Sequence, residues 1–284
     1  MSNNILITGA TGTIGSELVK ALQASGTAFE IMSSKAATTS AAPVRTASFE
    51  SVEQLTQAFT GIDTLFVLLP LVPHKVQLAR NVAQAAKAAG VKHIVRSSGA
   101  GADAKAGFSL PRLQGEIDEI FSHSGIPSTF LRNAGFMQNY LSFQKQMVKD
   151  GMLYAATNDA AQSLIDVRDI AAVAAVILRN PQAHAGKAYT LTGGESLTDT
   201  ARARELSQAI GKTVGYTPIS VEYSSGVMRN EWHMPAVLVD WMDSLNILVG
   251  MGYAAGISPD TEQLLGRKPI CFAQFARDYA ANWQ

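Results

Sequence analysis

Ile5-Leu6-Ile7-Thr8-Gly9-Ala10-Thr11-Gly12-Thr13-Ile14-Gly15 decides the fold. A short apolar run that reads as a buried strand enters three glycines, after which Ile14, Leu18, Val19 and Leu22 recur at helical spacing. Gly9 permits a tight strand-to-helix turn, and Gly12 lets backbone N–H groups approach a pyrophosphate closely. Gly15 lets the helix pack against the strand, and the helix N-terminus favours negative charge. The spacing is Gly-x-x-Gly-x-x-Gly, one residue longer in its first gap than the Gly-x-Gly-x-x-Gly fingerprint. A lone glycine pattern is weak, but its place between first strand and first helix makes this one a nucleotide signal.

Outward from that turn, the two periods alternate. Phe29 to Met32, Val44 to Phe49, Thr64 to Leu69, His93 to Ser98 and Ser128 to Arg132 read as strands. Val52 to Phe59, Val76 to Ala89 and Leu113 to Ser124 read as helices, with Gly61 and Gly90 near two of the ends. Near-continuous apolar strands between helices predict a Rossmann-like α/β fold, a doubly wound parallel sheet covered on both faces. Beyond it, Phe136 to Lys149 predicts a helix, Met152 to Ala156 and Ser163 to Val167 extended chain, Lys187 to Thr192 a strand and Asp199 to Ile210 a helix. No internal repeat or linker interrupts the chain. The expected division is a dinucleotide-binding domain over 1–134 and a smaller, interleaved C-terminal α/β substrate lobe over 135–284, with a crevice at the strand C-termini.

Composition narrows the function classes. The 284 residues carry 23 Lys+Arg against 23 Asp+Glu, a net charge of zero, and no basic block, which argues against nucleic acid as a partner. The apolar runs are too short or too interrupted to span a bilayer. The opening Met-Ser-Asn-Asn lacks a positive n-region, so no signal peptide is expected, and the single Cys271 fits a reducing, cytoplasmic setting. No two histidines have metal-ligand spacing, so no metal is expected.

NAD-preferring sites place an Asp or Glu at the tip of the second strand to bind the ribose hydroxyls. Here the tip reads Ser33-Ser34-Lys35, with Glu30 back inside the strand. Two hydroxyls and an ammonium suit a 2′-phosphate, which favours NADP, as NADPH, over NAD.

Further segments complete a pattern. Ala-Gly-Val-Lys-His-Ile-Val at 89–95, Ser-Gly-Ile-Pro-Ser-Thr-Phe-Leu-Arg-Asn at 124–133, Phe-Met-Gln-Asn at 136–139 and Asp-Val-Arg-Asp-Ile-Ala at 166–171 join the glycine-rich start. Together they resemble the NmrA-like group of atypical short-chain dehydrogenases over the whole chain. The resemblance implies an NAD(P)H-dependent reductase that passes hydride to a conjugated or aromatic small molecule such as a quinone, azo or iminium compound. The alternative it carries is a non-catalytic NADP-binding redox sensor acting through a protein partner. Oligomeric state, a homodimer included, stays open.

By the same resemblance, Gly9, Thr11, Gly12, Thr13, Ile14 and Gly15 hold the pyrophosphate and Ser33, Ser34 and Lys35 the adenosine ribose. Leu68, Leu69 and Pro70 line the adenine and ribose, and Ser97, Ser98 and Gly99 face the nicotinamide ribose. Phe136, Met137 and Asn139 sit beside nicotinamide and substrate, and Trp232 with His233 offers a substrate wall.

The departures bear on catalysis. None of the seven tyrosines is followed four residues later by Lys, so the usual Tyr-Lys acid–base pair is missing. The position where many relatives carry Lys or His falls on Gln114, an amide that donates hydrogen bonds but is no general acid near neutral pH. His74 is the other catalytic candidate, weighed against a surface role. His93 reads as a packed strand histidine, and Asp166 and Asp169 as helix-capping carboxylates. Met228, Met234, Met242, Met251, Trp232 and Trp241 form either an adaptable apolar pocket or plain core.

Overall fold

The computed structural model describes residues 3–35 and 42–284. The chain forms two compact units, the first comprising Met1–Gly107, Pro111–Asn133 and Ile170–Thr190, the second Phe108–Leu110, Ala134–Asp169 and Leu191–Gln284. In chain order the elements begin β1 (Ile5–Ile7), α1 (Thr13–Ala24), β2 (Glu30–Ser33), β3 (Val44–Thr46), α2 (Val52–Phe59), β4 (Thr64–Val67), α3 (Lys75–Ala88), β5 (His93–Gly99), α4 (Ser109–Ser122) and β6 (Ser128–Asn133). They continue with α5 (Lys145–Asp150), β7 (Met152–Ala155), α6 (Val167–Arg179), β8 (Ala188–Leu191), α7 (Asp199–Ile210) and β9 (Gly215–Pro218). Four helices follow: α8 (Val221–Asn230), α9 (Ala236–Gly250), α10 (Asp260–Leu265) and α11 (Phe272–Asp278).

The first unit is built on a seven-stranded sheet in the order β3-β2-β1-β4-β5-β6-β8. β1 pairs in parallel with β2 on one side and β4 on the other, and parallel pairing continues to β3 and, through β5, to β6. The chain thus starts in the middle, winds one way, then returns to β4 and winds the other way. The switch point lies between β1 and β4, where α/β sheets open their binding crevices. Every residue of β1 and β4 is buried, as a parallel sheet covered on both faces requires. The Rossmann-like doubly wound architecture read from the sequence is therefore the one observed.

The second unit has its own core, with Met137, Tyr140, Val148, Leu153, Phe272, Phe275 and Trp283 packed together. Its two-stranded sheet pairs β7 with β9, Met152 opposite Gly215 and Ala155 opposite Pro218. Buried Arg202 of α7 donates from Nε to the Tyr140 hydroxyl at 2.9 Å and from Nη2 to Asp199 at 2.7 Å. Burial pushes the Tyr140 phenol up to about 12, so it stays protonated as a structural hydrogen-bonding group.

Local chemistry moves several element boundaries. The helix expected over Phe136 to Lys149 is a 3-10 turn, Met137–Leu141, followed by α5. The break has a cause: the Ser142 and Gln144 N–H groups both donate to the Asn139 carbonyl, and the Gln138 side chain is drawn away to Asp166 and the Val167 N–H. Ser163 to Val167 contributes only a bridge between Ile165 and Phe136, because Val167 already begins α6. β3 stops at Thr46, since the chain turns at Ser48 to let Ser51 cap α2 through the Gln54 N–H. α4 begins at Ser109 rather than Leu113, with Pro111 in its first turn, where a missing N–H costs nothing. The Ala/Thr/Ser stretch at 36–41 lies outside the described residues.

Close approach and backbone conformation make separable demands on glycine. A Cβ at Gly15 would lie 2.0 Å from the Gly9 carbonyl oxygen, whereas Gly61 has φ +78° and open space around it. Gly15→Ala should therefore cost about 3 kcal/mol or more of stability by forced repacking. Gly61→Ala should cost only about 1 kcal/mol, through left-handed backbone strain. Equilibrium urea unfolding of the two variants tests this, and equal losses would contradict it.

Candidate functional site

The proposed nucleotide residues occupy the C-terminal tips of four adjacent strands in the first unit, in the spatial order β2-β1-β4-β5. Gly9 takes φ +67°, the left-handed conformation that lets β1 turn at once toward α1. A Cβ there would also meet Leu68 at 3.1 Å, so the turns after β1 and β4 are in close contact. The Thr8 hydroxyl joins them: it donates to the Phe66 carbonyl at 3.1 Å and accepts the Leu68 N–H at 2.9 Å.

Above this seam, Thr11, Gly12 and Thr13 are exposed while Ile14 and Gly15 are buried. Gly12 is the N-cap of α1, with extended backbone, no capping side chain and no acidic residue in the first turn. By contrast Ser51, Thr198 and Ser220 cap α2, α7 and α8 with side-chain oxygens. The first turn of α1 therefore keeps its N–H groups and positive partial charge available to an anion.

At the β2 tip, Ser34 and Lys35 are exposed and the Ser33 hydroxyl accepts the Lys35 N–H at 3.1 Å. Glu30 does not face a ribose here. It forms a two-pronged ion pair with Arg45 at 2.7 Å on each prong, and the guanidinium holds its carboxyl below the usual range. Leu68 and Leu69 are half-buried and buried beside exposed Pro70.

The end of β5 is polar. Asn133, which stands where the resemblance leads one to expect proline, donates to the Ser97 hydroxyl at 3.0 Å and the Ser98 carbonyl at 3.3 Å. Its own carbonyl oxygen and the Ser98 hydroxyl are buried without a protein partner. Gln114 of α4 lies against this end, its Cγ 3.1 Å from where a Cβ of Gly99 would be.

Beneath Gln114 is a cluster that sequence reasoning missed. Arg96, only 1% exposed, points from β5 to α4, where it donates to the Gln114 side-chain oxygen at 2.6 Å and pairs with Asp118. Arg132 of β6 donates to the other Asp118 oxygen at 3.2 Å. Burial brings the Arg96 pKa down to about 10 despite Asp118. An arginine only donates, so its bond to Gln114 fixes the amide: the oxygen is engaged and the NH2 group is left as donor near Gly99. The signal was present, for a charge inside an apolar strand demands a buried partner, and Asp118 lies on the next helix.

The other candidates separate. His74 is exposed and bonded to Glu50 at 2.7 Å. His93 is buried and donates from Nε2 to the Thr129 hydroxyl at 2.9 Å, since that hydroxyl gives its own proton to the His184 carbonyl. Burial lowers its pKa to about 4, so it is neutral and packed. Asp166 does cap, accepting the Arg168 N–H at 2.8 Å. Asp169 does not, because it is buried and binds Arg267 and the Ile270 N–H instead.

In the second unit, Met137 is 1% exposed in the core, which leaves Phe136 and Asn139 as the partly accessible members of that segment. The Met and Trp residues divide likewise: Met228 and Trp241 are core, whereas Trp232 at 50% and Met251 at 59% exposure are not. His233 has φ +48°, an uncommon conformation for a residue with a side chain.

Residues 1–236 match the model of the NmrA-like family. The chain is 38% identical to an NAD(P)H azoreductase of Xenophilus azovorans, over 98% of both chains. It is 29% identical to quinone oxidoreductase 2 of Escherichia coli, over 95% of this chain and 96% of that one. The crystal structure of an NADPH-dependent quinone oxidoreductase from Escherichia coli, complexed with NADPH, superposes with a TM-score of 0.86 at 28% identity, covering 96% and 99% of the two chains. Sheet order, glycine turn and whole-chain likeness agree, and the chain belongs to the NmrA-like family.

Proposed function

We propose that this protein is an NAD(P)H-dependent reductase that uses NADPH to reduce quinone or azo compounds. The observation that carries the reading is the uncapped, carboxylate-free first turn of α1 seated on a glycine turn at the sheet's switch point, in a chain alike from end to end to an azoreductase.

The residues present fit a dinucleotide. Gly9, Thr11, Gly12, Thr13, Ile14 and Gly15 would receive the pyrophosphate through backbone N–H groups, at positions where Cβ atoms would crowd the turn. Ser33, Ser34 and Lys35 would hold a 2′-phosphate, since Glu30 is held by Arg45 and no carboxylate among the described residues competes at the tip. Leu68, Leu69 and Pro70 would line the nucleoside, and Ser97, Ser98 and Gly99 the nicotinamide side, where the orphaned Ser98 hydroxyl lacks a protein partner. When bound, the reduced nicotinamide supplies a hydride.

The chain's own part is to bind, orient and polarise. Gln114 would offer its NH2 group to the acceptor's carbonyl oxygen or azo nitrogen, and Arg96 keeps that group turned outward by holding the amide oxygen. Such a donor stabilises negative charge as it forms without having to ionise. Proton delivery then falls to solvent, which is compatible with His74 being paired at the surface and Tyr140 buried against Arg202.

Oxidation of NADPH, followed by its near-ultraviolet absorbance with a naphthoquinone or an azo dye, tests the activity. NADPH binding with no turnover on any acceptor would refute it. Gly12→Asp should abolish nucleotide binding in calorimetry while leaving the fold intact, because its Cβ would sit a tolerable 3.3 Å from the Gly9 oxygen and only the carboxylate opposes the pyrophosphate. Lys35→Ala should weaken NADPH about tenfold and NADH little, the worth of one charged hydrogen bond. Gln114→Glu keeps an acceptor for Arg96 but loses the donor, so kcat should fall at least about tenfold with nucleotide affinity unchanged.

A further inference from the structure

Among the described residues, Lys75 is the only lysine in the buried class, at 8% exposure. It opens α3, with its backbone N–H bonded to the Val72 carbonyl at 3.1 Å, and so stands just beyond the β4 tip. No hydrogen bond or ion pair from the described residues reaches its ammonium. The charge that acts on it is another cation, Arg96 of β5, and burial together with that repulsion lowers its pKa to about 8. Behind Arg96 stand Asp118 of α4 and Arg132 of β6. On the side toward α2, neighbouring His74 is paired with Glu50, and both are exposed. Lys75, Arg96 and Arg132 thus share the single carboxylate of Asp118, leaving an excess of two positive charges.

A buried ammonium without a counterion is costly, and a fold that keeps one has positive potential where something negative arrives. The cluster is continuous with the site. Lys75 acts on Arg96, Arg96 holds Gln114, and Gln114 lies on Gly99 at the end of β5.

Resting on the reductase reading above, we propose that the uncompensated Lys75–Arg96 pair makes this site selective for neutral or anionic acceptors that are reduced through an anion, namely quinones and azo compounds. Acceptors that are already cations, such as iminium ions and triphenylmethane dyes, are disfavoured. The chemistry separates the two classes. A quinone that takes up hydride becomes a monoanion, and one proton from solvent completes the hydroquinone. An azo group takes hydride on one nitrogen and leaves negative charge on the other until a proton gives the hydrazine. A cationic acceptor instead passes from one positive charge to none, so a positive field repels it on entry and gains nothing on reduction. Lys75 is a positioning residue here, acting through its field on the acceptor and through Arg96 on Gln114.

The test compares kcat/KM with NADPH for a sulfonated monoazo dye, a neutral naphthoquinone and a cationic triphenylmethane dye, in wild type, Lys75→Met and Lys75→Arg. One fixed charge acting through a protein-like medium predicts that Lys75→Met shifts the anionic-to-cationic preference about fivefold toward the cationic dye. The naphthoquinone should fall in between, and Lys75→Arg should keep the wild-type ratio. Raising the pH through about 8 should move the wild-type ratio the same way, because the lysine then loses its proton, while the Lys75→Arg ratio stays flat. A purely structural lysine would change all three acceptors alike. Unchanged ratios in an active Lys75→Met enzyme that binds NADPH as wild type does would overturn the inference alone. Failure of wild type to oxidise NADPH with any of the three would overturn the reductase reading and this inference with it.

Discussion

The Gly9 carbonyl oxygen occupies the space that a side chain at residue 15 would need. A Cβ on Gly15 would lie 2.0 Å from that oxygen and 2.7 Å from Ala10 Cα. Such close packing of α1 on its own entry turn brings the helix N-terminus directly over the β1 tip. The rest of the site follows from this contact. The Gly9 turn meets Leu68, the Thr8 hydroxyl ties the β1 and β4 ends together, and the sheet's switch point becomes a narrow seam crowned by uncapped N–H groups. Capping the helix with Ser or Asp would help it in isolation but would fill the place where an anion binds. The open end is thus a local cost that a ligand offsets.

A second constraint lies two strands away. β5 carries Arg96 through an apolar sheet, and the arginine is tolerable only because Asp118 and Gln114 meet it on α4. That necessity has a chemical consequence. An amide with its oxygen engaged by a guanidinium has one face left to offer, its NH2 donors, so a side chain that cannot ionise near neutral pH becomes a fixed hydrogen-bond donor. The structure therefore reconciles the missing Tyr-Lys pair with reduction of acceptors that take their proton from water.

How much of this was legible beforehand depended on whether the information was local. The glycine turn, the alternation of strand and helix, and the seating of α2 and α7 all follow from short-range periodicity and breakers, and their bounds came out as read. The break between Met137 and Lys145 depends on Gln138 reaching Asp166, some thirty positions away, which no window of sequence contains. β9 depends on β7 for its pairing and offers only Gly-Tyr-Thr-Pro as a local signal. Lys75 shows the limit most plainly. At the start of an Ala-rich amphipathic helix a lysine reads as a solvated charge, and only packing against Arg96 makes it buried and unpaired. Gln114 could be placed by its spacing, but which end of its amide faces out was set by an arginine on another element.

Cofactor choice shows how a single ion pair can settle a question posed elsewhere. Glu30 lies three residues before the β2 tip, and with a small shift in register its carboxylate would meet the ribose hydroxyls and repel a 2′-phosphate. Arg45, one strand over on β3, removes it from contention. Its Nε and Nη2 grip both Glu30 oxygens at 2.7 Å, and its Nη1 donates to the Ala58 and Thr60 carbonyls at 2.8 and 2.6 Å. The register Met32 opposite Arg45 and Ser33 opposite Thr46 keeps that pair behind the tip and points the chain forward to Ser34 and Lys35. Because Arg45 has its donors committed to Glu30 and the α2 end, it cannot serve as the phosphate ligand itself. The positive charge offered to the nucleotide among the described residues of the tip is then that of Lys35, supported by two serine hydroxyls. Preference for the phosphorylated coenzyme accordingly rests on the removal of a carboxylate as much as on the presence of a lysine.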